Sequence, residues 1–144
     1  MTPIRHPLAA PLVISVVCAI GAFGCYPPGG STPAAQGRTN AIIVEATSLY
    51  QVYERNAVEG DQRYKGQWLH VLGTVRDIGK DILDTPYVTF DVADENALST
   101  VQAMFTRGRD ENLLAGFSKG QRLAVVCMGD GKLVTIILRD CAMP

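Results

Sequence analysis

From Gln67 onward, apolar residues take every second position. Leu69, Val71, Gly73 and Val75 alternate with Trp68, His70, Leu72 and Thr74. A period of two belongs to a strand with two unlike faces. Gly73, in the middle, constrains the outcome most. Glycine weakens a strand interior and marks a bulge or a sharp bend, and a small closed barrel needs such a point.

The rest of the chain reads in the same terms. Ile78-Gly79-Lys80-Asp81 and Asp84-Thr85-Pro86 are turn sequences. Val88, Phe90 and Val92 make a second strand, with Tyr87, Thr89 and Asp91 facing away, and Val101, Ala103 and Phe105 make a third. Arg109 to Phe117 reads as a short helix, capped by Asp110, burying Leu113, Leu114 and Phe117, and stopped by Lys119-Gly120. Gln121 to Met128 is a fourth strand, residues 129–132 a tight turn, and Leu133 to Cys141 a fifth strand. Upstream, Ile43, Ala46, Tyr50, Tyr53 and Ala57 recur at helical spacing behind a cap at Asn40, until Gly60 and Asp61 break the pattern. Tyr50 and Tyr53 could serve as an aromatic ligand platform; the plainer reading is the packing face of that helix. The expected fold is mainly β: a five-stranded OB-fold barrel with an N-terminal helix and a short helix between strands 3 and 4.

The first residues speak to location. One firm positive charge, Arg5, precedes an apolar run from Leu8 to Phe23, and then Gly24-Cys25. The run falls short of the roughly 20 apolar residues that span a bilayer as a helix, so it reads as a cleaved export signal. Gly24 suits cleavage before a lipidated Cys25. Ala22 stands where lipoprotein signals usually carry Leu, and Ala22-Phe23-Gly24 also suits ordinary cleavage. Residues 26–39 hold Pro27, Pro28, Gly29, Gly30, Pro33 and Gly37 without hydrophobic periodicity, a flexible tether. The organisation expected is a signal peptide over 1–24, a lipidated Cys25 and tether over 25–39, and the barrel with its helix over 40–144. The protein is then lipid-anchored to a membrane of the bacterial cell envelope, facing the periplasm or exterior. Residues 26–144 carry 12 Lys or Arg against 14 Asp or Glu. With no basic run, a trade in phosphate neutralisation is disfavoured.

The ordered set Tyr53, Asn56, Asp61, Tyr64-Lys65-Gly66, Gly73 and Val75 resembles the opening of the bacterial tRNA_anti-like OB-fold proteins, mostly uncharacterised exported proteins and lipoproteins. Lys119-Gly120-Gln121, Cys127 followed by Gly129, and Leu138-Arg139-Asp140-Cys141 extend the likeness over about residues 50–142. Gly60 replaces the usual Ala before Asp61. The resemblance implies ancestry with anticodon-binding domains, which does not establish tRNA as the ligand. It also implies a disulfide between Cys127 and Cys141, in keeping with an oxidising compartment. A tight hairpin centred on residues 130–131 would instead leave Cys141 about 23 Å from the residue opposite Cys127, at ~3.3 Å per residue. Either the fifth strand starts late, after a wide loop, or both thiols stay free.

No catalytic constellation emerges, and a non-enzymatic protein is expected. His70 is the single histidine after the signal, and no ligand spacing around it suits a metal. Cys127 has no sequence-local base. Asp77, Asp81 and Asp84 lack the spacing of a calcium loop, and Asp91, Asp94 and Glu95 read as a solvated strand end. No cofactor is implied. The OB-fold does propose a ligand face: Tyr87, Thr89, Gln102 and Met104, with Lys80, Arg107 and Arg109 at its edges. A membrane-tethered binding module for an envelope protein or a glycan is the leading expectation, with nucleic acid as the alternative.

Overall fold

A computed structural model describes residues 37–144; the stretch read as an export signal, Cys25 and most of the stretch read as a tether lie outside them. In chain order the elements are β1 (Ile42–Glu45), α1 (Ala46–Arg55), α2 (Ala57–Tyr64), β2 (Trp68–Lys80), β3 (Pro86–Phe90), β4 (Val101–Phe105), α3 (Glu111–Leu114), β5 (Arg122–Lys132) and β6 (Ile136–Ala142). The strands form one sheet in the order β1-β2-β3-β4-β6-β5, and β2 also pairs with β5. Strands β2 to β6 therefore close into a five-stranded barrel. Within it β4 and β6 run parallel and the other neighbours antiparallel. With α3 between its third and fourth strands, this is the OB-fold.

Alternation fills the interior. Leu69, Val71 and Val75 of β2, Val88 and Phe90 of β3, and Val101 and Ala103 of β4 are buried, as are Val125, Ile136 and Leu138. Strand β2 spans 13 residues because it has three partners. Trp68 to Thr74 pair with β5, Leu69 to Leu72 also pair with β1, and Val75 to Lys80 pair with β3. The register shifts between Val75 and Asp77, so the bulge sits after Gly73 rather than at it. Gly73 has another reason: a Cβ there would lie 2.7 Å from the Phe90 ring and 2.9 Å from the Ala46 Cβ.

The structure revises the N-terminal helix. Ile42-Ile43-Val44 are β-branched in succession, which favours a strand, and they pair parallel to β2 as β1. Asn40 caps nothing; it is an exposed turn residue. Helix α1 starts at Ala46 and buries Ala46, Leu49, Tyr50 and Tyr53, the packing face read from the sequence. The chain breaks at Asn56, whose side chain accepts from the amides of Val58 and Glu59 at 3.0 and 3.2 Å and so caps α2. Gly60 and Asp61 lie inside that second helix. At the end of the tether sequence, residues 37–39 are helical, and the Arg38 guanidinium sits 4.8 Å from the centre of the Trp68 ring.

Three further boundaries move. Ile78 to Lys80 belong to β2, not to a turn, and α3 is one turn long, with Leu114 buried but Leu113 half-exposed. Residues 129–132 belong to β5, and the turn comes at 133–135. Gly129 is a crossing point. Its missing Cβ would lie 2.2 Å from the Tyr64 carbonyl oxygen, and its amide donates to Gln67 O at 2.9 Å. Strand β6 thus starts at Ile136, and register shifts between Val126 and Met128 and between Gly129 and Gly131 bring Cys141 back beside Cys127. Their sulfurs are bonded, with Cα atoms 4.1 Å apart.

Two outcomes follow for stability. Gly73→Ala is expected to cost about 1–3 kcal/mol by overpacking against Phe90 and Ala46, read as a lower urea midpoint at unchanged slope. Replacing Cys127 and Cys141 by alanine together frees a loop of sequence separation 14 and is expected to cost about 3 kcal/mol in the same assay.

Candidate functional site

The four central residues of the expected ligand face come together. Tyr87 lies opposite Met104 and Thr89 opposite Gln102 across β3 and β4. Their neighbours Val88, Phe90, Val101, Ala103 and Phe105 are buried, so alternation turns these four outward, where they are half-buried. Strand β2 extends the face, with Gly79 opposite Tyr87 and Asp77 opposite Thr89, and Ile137 of β6 lies opposite Gln102. A Cβ on Gly79 would be 2.8 Å from the Tyr87 hydroxyl, so the phenol reaches across bare backbone. The Gln102 amide donates to the Met104 sulfur at 3.3 Å.

The cations expected at the edges are all occupied. The Lys80 ammonium sits 3.2 Å from Asp84 and 3.3 Å from Glu111, and these carboxylates raise its pKa. Arg107 donates to the Leu83 carbonyl. Arg109 pairs with Asp110 at 3.1 Å, which uses the carboxylate expected to cap α3; its side chain makes no cap hydrogen bond. Lys119 pairs with Asp77 at 2.6 Å and holds that carboxyl below its ordinary range. The centre of the face is therefore uncharged and its rim balanced. It offers a ring to stack on, a hydroxyl and an amide to hydrogen-bond, and a thioether for apolar contact.

The loop beside the face is braced. Asp81 Oδ1 accepts from the amides of Leu83 and Thr85 at 2.8 Å each. Those bonds, Thr85 first, and the charge of Arg107 hold the Asp81 carboxyl below its usual range. Asp91 and Asp94 make similar local turns, accepting from Ala93 and Asn96 at 3.0 Å.

The other sequence candidates are spread out. His70 faces outward on β2, with Ile43 and Val126 as its neighbours across the sheet. Its Nε2 is buried without a hydrogen-bond partner. Cys127 lies opposite Leu69, and its sulfur is in the disulfide. Tyr50 donates to Asp94 at 3.3 Å, and burial, with Glu54 and Asp94 nearby, raises its pKa. Sequence reasoning missed one cluster. Glu54 of α1 accepts from Ser99 at 2.6 Å and from Lys132 of β5, and these bonds, Lys132 first, lower its pKa. They lie 45 and 78 residues away, so no spacing signals them. Among the described residues, no three His, Cys, Asp or Glu converge to hold a metal ion, and no helix is long and apolar enough to cross a membrane.

A family model described as tRNA_anti-like matches residues 5–142. A solved structure of a "putative nucleic acid-binding lipoprotein" from Klebsiella pneumoniae subsp. pneumoniae MGH 78578 aligns with a TM-score of 0.55 at 18% identity, covering 78% of this chain and 99% of that one. At that identity the likeness is one of fold. An OBody bound to hen egg-white lysozyme aligns with a TM-score of 0.40 at 17% identity, covering 55% of this chain and 82% of the other, too slight to argue from. No curated protein matches.

The braced loop gives a pH prediction. A depressed carboxyl pKa contributes stability above the unfolded value, about 3.9 for Asp, and loses it as pH falls through the folded value. The Leu83 and Thr85 amide resonances are expected to keep their neutral-pH positions down to about pH 4 and to move only below it. Asp81→Asn should shift both amides at every pH.

Proposed function

Because the chain belongs to the tRNA_anti-like family, we propose that it is a non-catalytic OB-fold binding module of the bacterial cell envelope. It is held at a membrane by a lipidated Cys25 and takes an uncharged ligand, a protein segment or a glycan chain, on the face of β3 and β4. One observation carries this reading: Tyr87, Thr89, Gln102 and Met104 share one outward patch whose flanking cations Lys80, Arg109 and Lys119 are already ion-paired. A face built so gains from stacking, hydrogen bonds and apolar contact, and little from phosphate charge. The envelope location draws support from the signal sequence ending at Gly24-Cys25 and from the Klebsiella neighbour's description as a lipoprotein.

The second reading is nucleic acid. It draws on the same neighbour's described binding and on Tyr87, a ring on which a base stacks. It requires free cations, because phosphate contacts supply most non-specific affinity and make it fall steeply with salt. The paired state of Lys80, Arg109 and Lys119 weighs against it.

A photo-cross-linking residue at Thr89 of the full chain, activated in its native membrane, tests the face. Adducts with an envelope protein or glycan are expected, and Tyr87→Ala should weaken capture about tenfold, or ~1.4 kcal/mol. RNA or DNA adducts, or salt-sensitive oligonucleotide binding, establish the second reading instead. Adducts indifferent to Tyr87→Ala remove this face from the account. The intact mass of chain isolated from membranes tests the anchor: a species starting at Cys25 with acyl mass is expected, and an unmodified chain in the soluble cytoplasmic fraction overturns the location.

A further inference from the structure

The end of the barrel where β2 turns into β3 carries an apolar knob beside an apolar slot. The knob is the loop tip, where Ile82 is fully exposed and Leu83 is 66% exposed. Asp81 holds the Leu83 and Thr85 amides, the Asp81 amide donates to Thr85 O at 3.0 Å, and Arg107 holds the Leu83 carbonyl. A loop fixed this firmly displays its two aliphatic side chains at little entropic cost on binding. The slot is an open cleft of about 220 Å³ lined by Ile78, Gly79, Pro86, Leu114 and Ala115, with Lys80 and Glu111 also lining it. Lys80 and Pro86 form the last cross-strand pair before the loop, so the knob rises from the edge of the slot.

We propose that this end of the barrel is a self-association surface, in which the Ile82–Leu83 tip of one copy fills the Ile78–Pro86–Leu114 slot of a second copy, and the reverse. A twofold contact needs one patch that contains its own complement, and a knob beside a slot is such a patch. The charges agree with the shape. Lys80, Arg107 and Arg109 stand beside Asp81, Asp84, Asp110 and Glu111. A rim of both signs meets a copy of itself without the repulsion that a single-sign rim would suffer. The same rim has no cationic excess to draw it to anionic lipid headgroups. The exposed side chains of Leu98, Leu133 and Val134 lack this property: the cavity that Leu98 and Val134 help to line is, apart from them and Ala97, walled by Tyr50, Glu54, Asp94, Asn96, Ser99 and Lys132. The surface goes beyond the ligand reading: it adjoins the ligand face at Gly79 and Lys80, but its test does not depend on what that face binds.

Sedimentation of the full chain over a concentration series tests the proposal. A reversible monomer–dimer equilibrium is expected. Ile82→Asp should weaken it about tenfold or more without moving the urea midpoint, since that side chain is exposed. Chains carrying Ile82→Cys and Ala115→Cys, differently tagged and mixed, should form a mixed disulfide dimer under mild oxidation. Leu98→Cys mixed with Ala115→Cys should not. A chain monomeric at its highest soluble concentration, a dimer indifferent to Ile82→Asp, or equal cross-linking in the Leu98 control overturns the proposal, whatever ligand the β3–β4 face takes.

Discussion

Strand β2 must hydrogen-bond three other strands within thirteen residues, and it cannot do so straight. Its first half has both edges filled, by β5 on one side and β1 on the other. Its second half turns to β3. The bulge between Val75 and Asp77 makes the change of partner, and Gly73, just before it, leaves room for Phe90 and Ala46 to meet over the strand. Without that bend the circuit of five strands would open, exposing edges that invite pairing with other chains. Helix α1 would lose the surface on which Ala46 sits. The outward patch on β3 and β4 depends on the same bend, because the register of β3 against β2 sets which residues face inward.

The parts of this arrangement visible in the sequence are those written as short-range periods. The alternation of Leu69, Val71 and Val75, of Val88 and Phe90, and of Val101, Ala103 and Phe105 survives intact, and with it the outward placement of Tyr87, Thr89, Gln102 and Met104. Glycine misled at residues 79 and 129–131. Gly79 and Gly129 look like turns because turns use glycine for its freedom. Here they serve as places where a phenol and a backbone carbonyl pass close to a strand. Strand β1 escaped notice because its partner is distant in the chain and a parallel pair leaves no local signature. Ile43 fitted a helical count that its two β-branched neighbours contradicted.

The electrostatics of the face were equally hidden. Counting Lys80, Arg107 and Arg109 as edge cations was sound, but their partners arrive from elsewhere: Glu111 from α3, the Leu83 carbonyl from the loop tip, and Asp110 from the next residue in a geometry that sequence does not specify. Composition gives the number of charges, and only the fold tells which of them are spent on each other. The position of the disulfide was obscured for a related reason. Two register shifts in one hairpin move Cys141 to Cys127, and no count along an ideal ladder contains them.

Strand β1 lies outside the closed circuit, and the chain from the N-terminal side enters the sheet through it. Its four residues run parallel to β2, so a pull along the strand loads all of their hydrogen bonds together, in shear. If that ladder gives way, the strand slides off a barrel that remains shut, because no bond of the circuit from β2 to β6 passes through it. Mechanical strain arriving along the N-terminal segment is thus met by the Arg38–Trp68 contact and then by this outer strand, before it reaches any bond of the circuit.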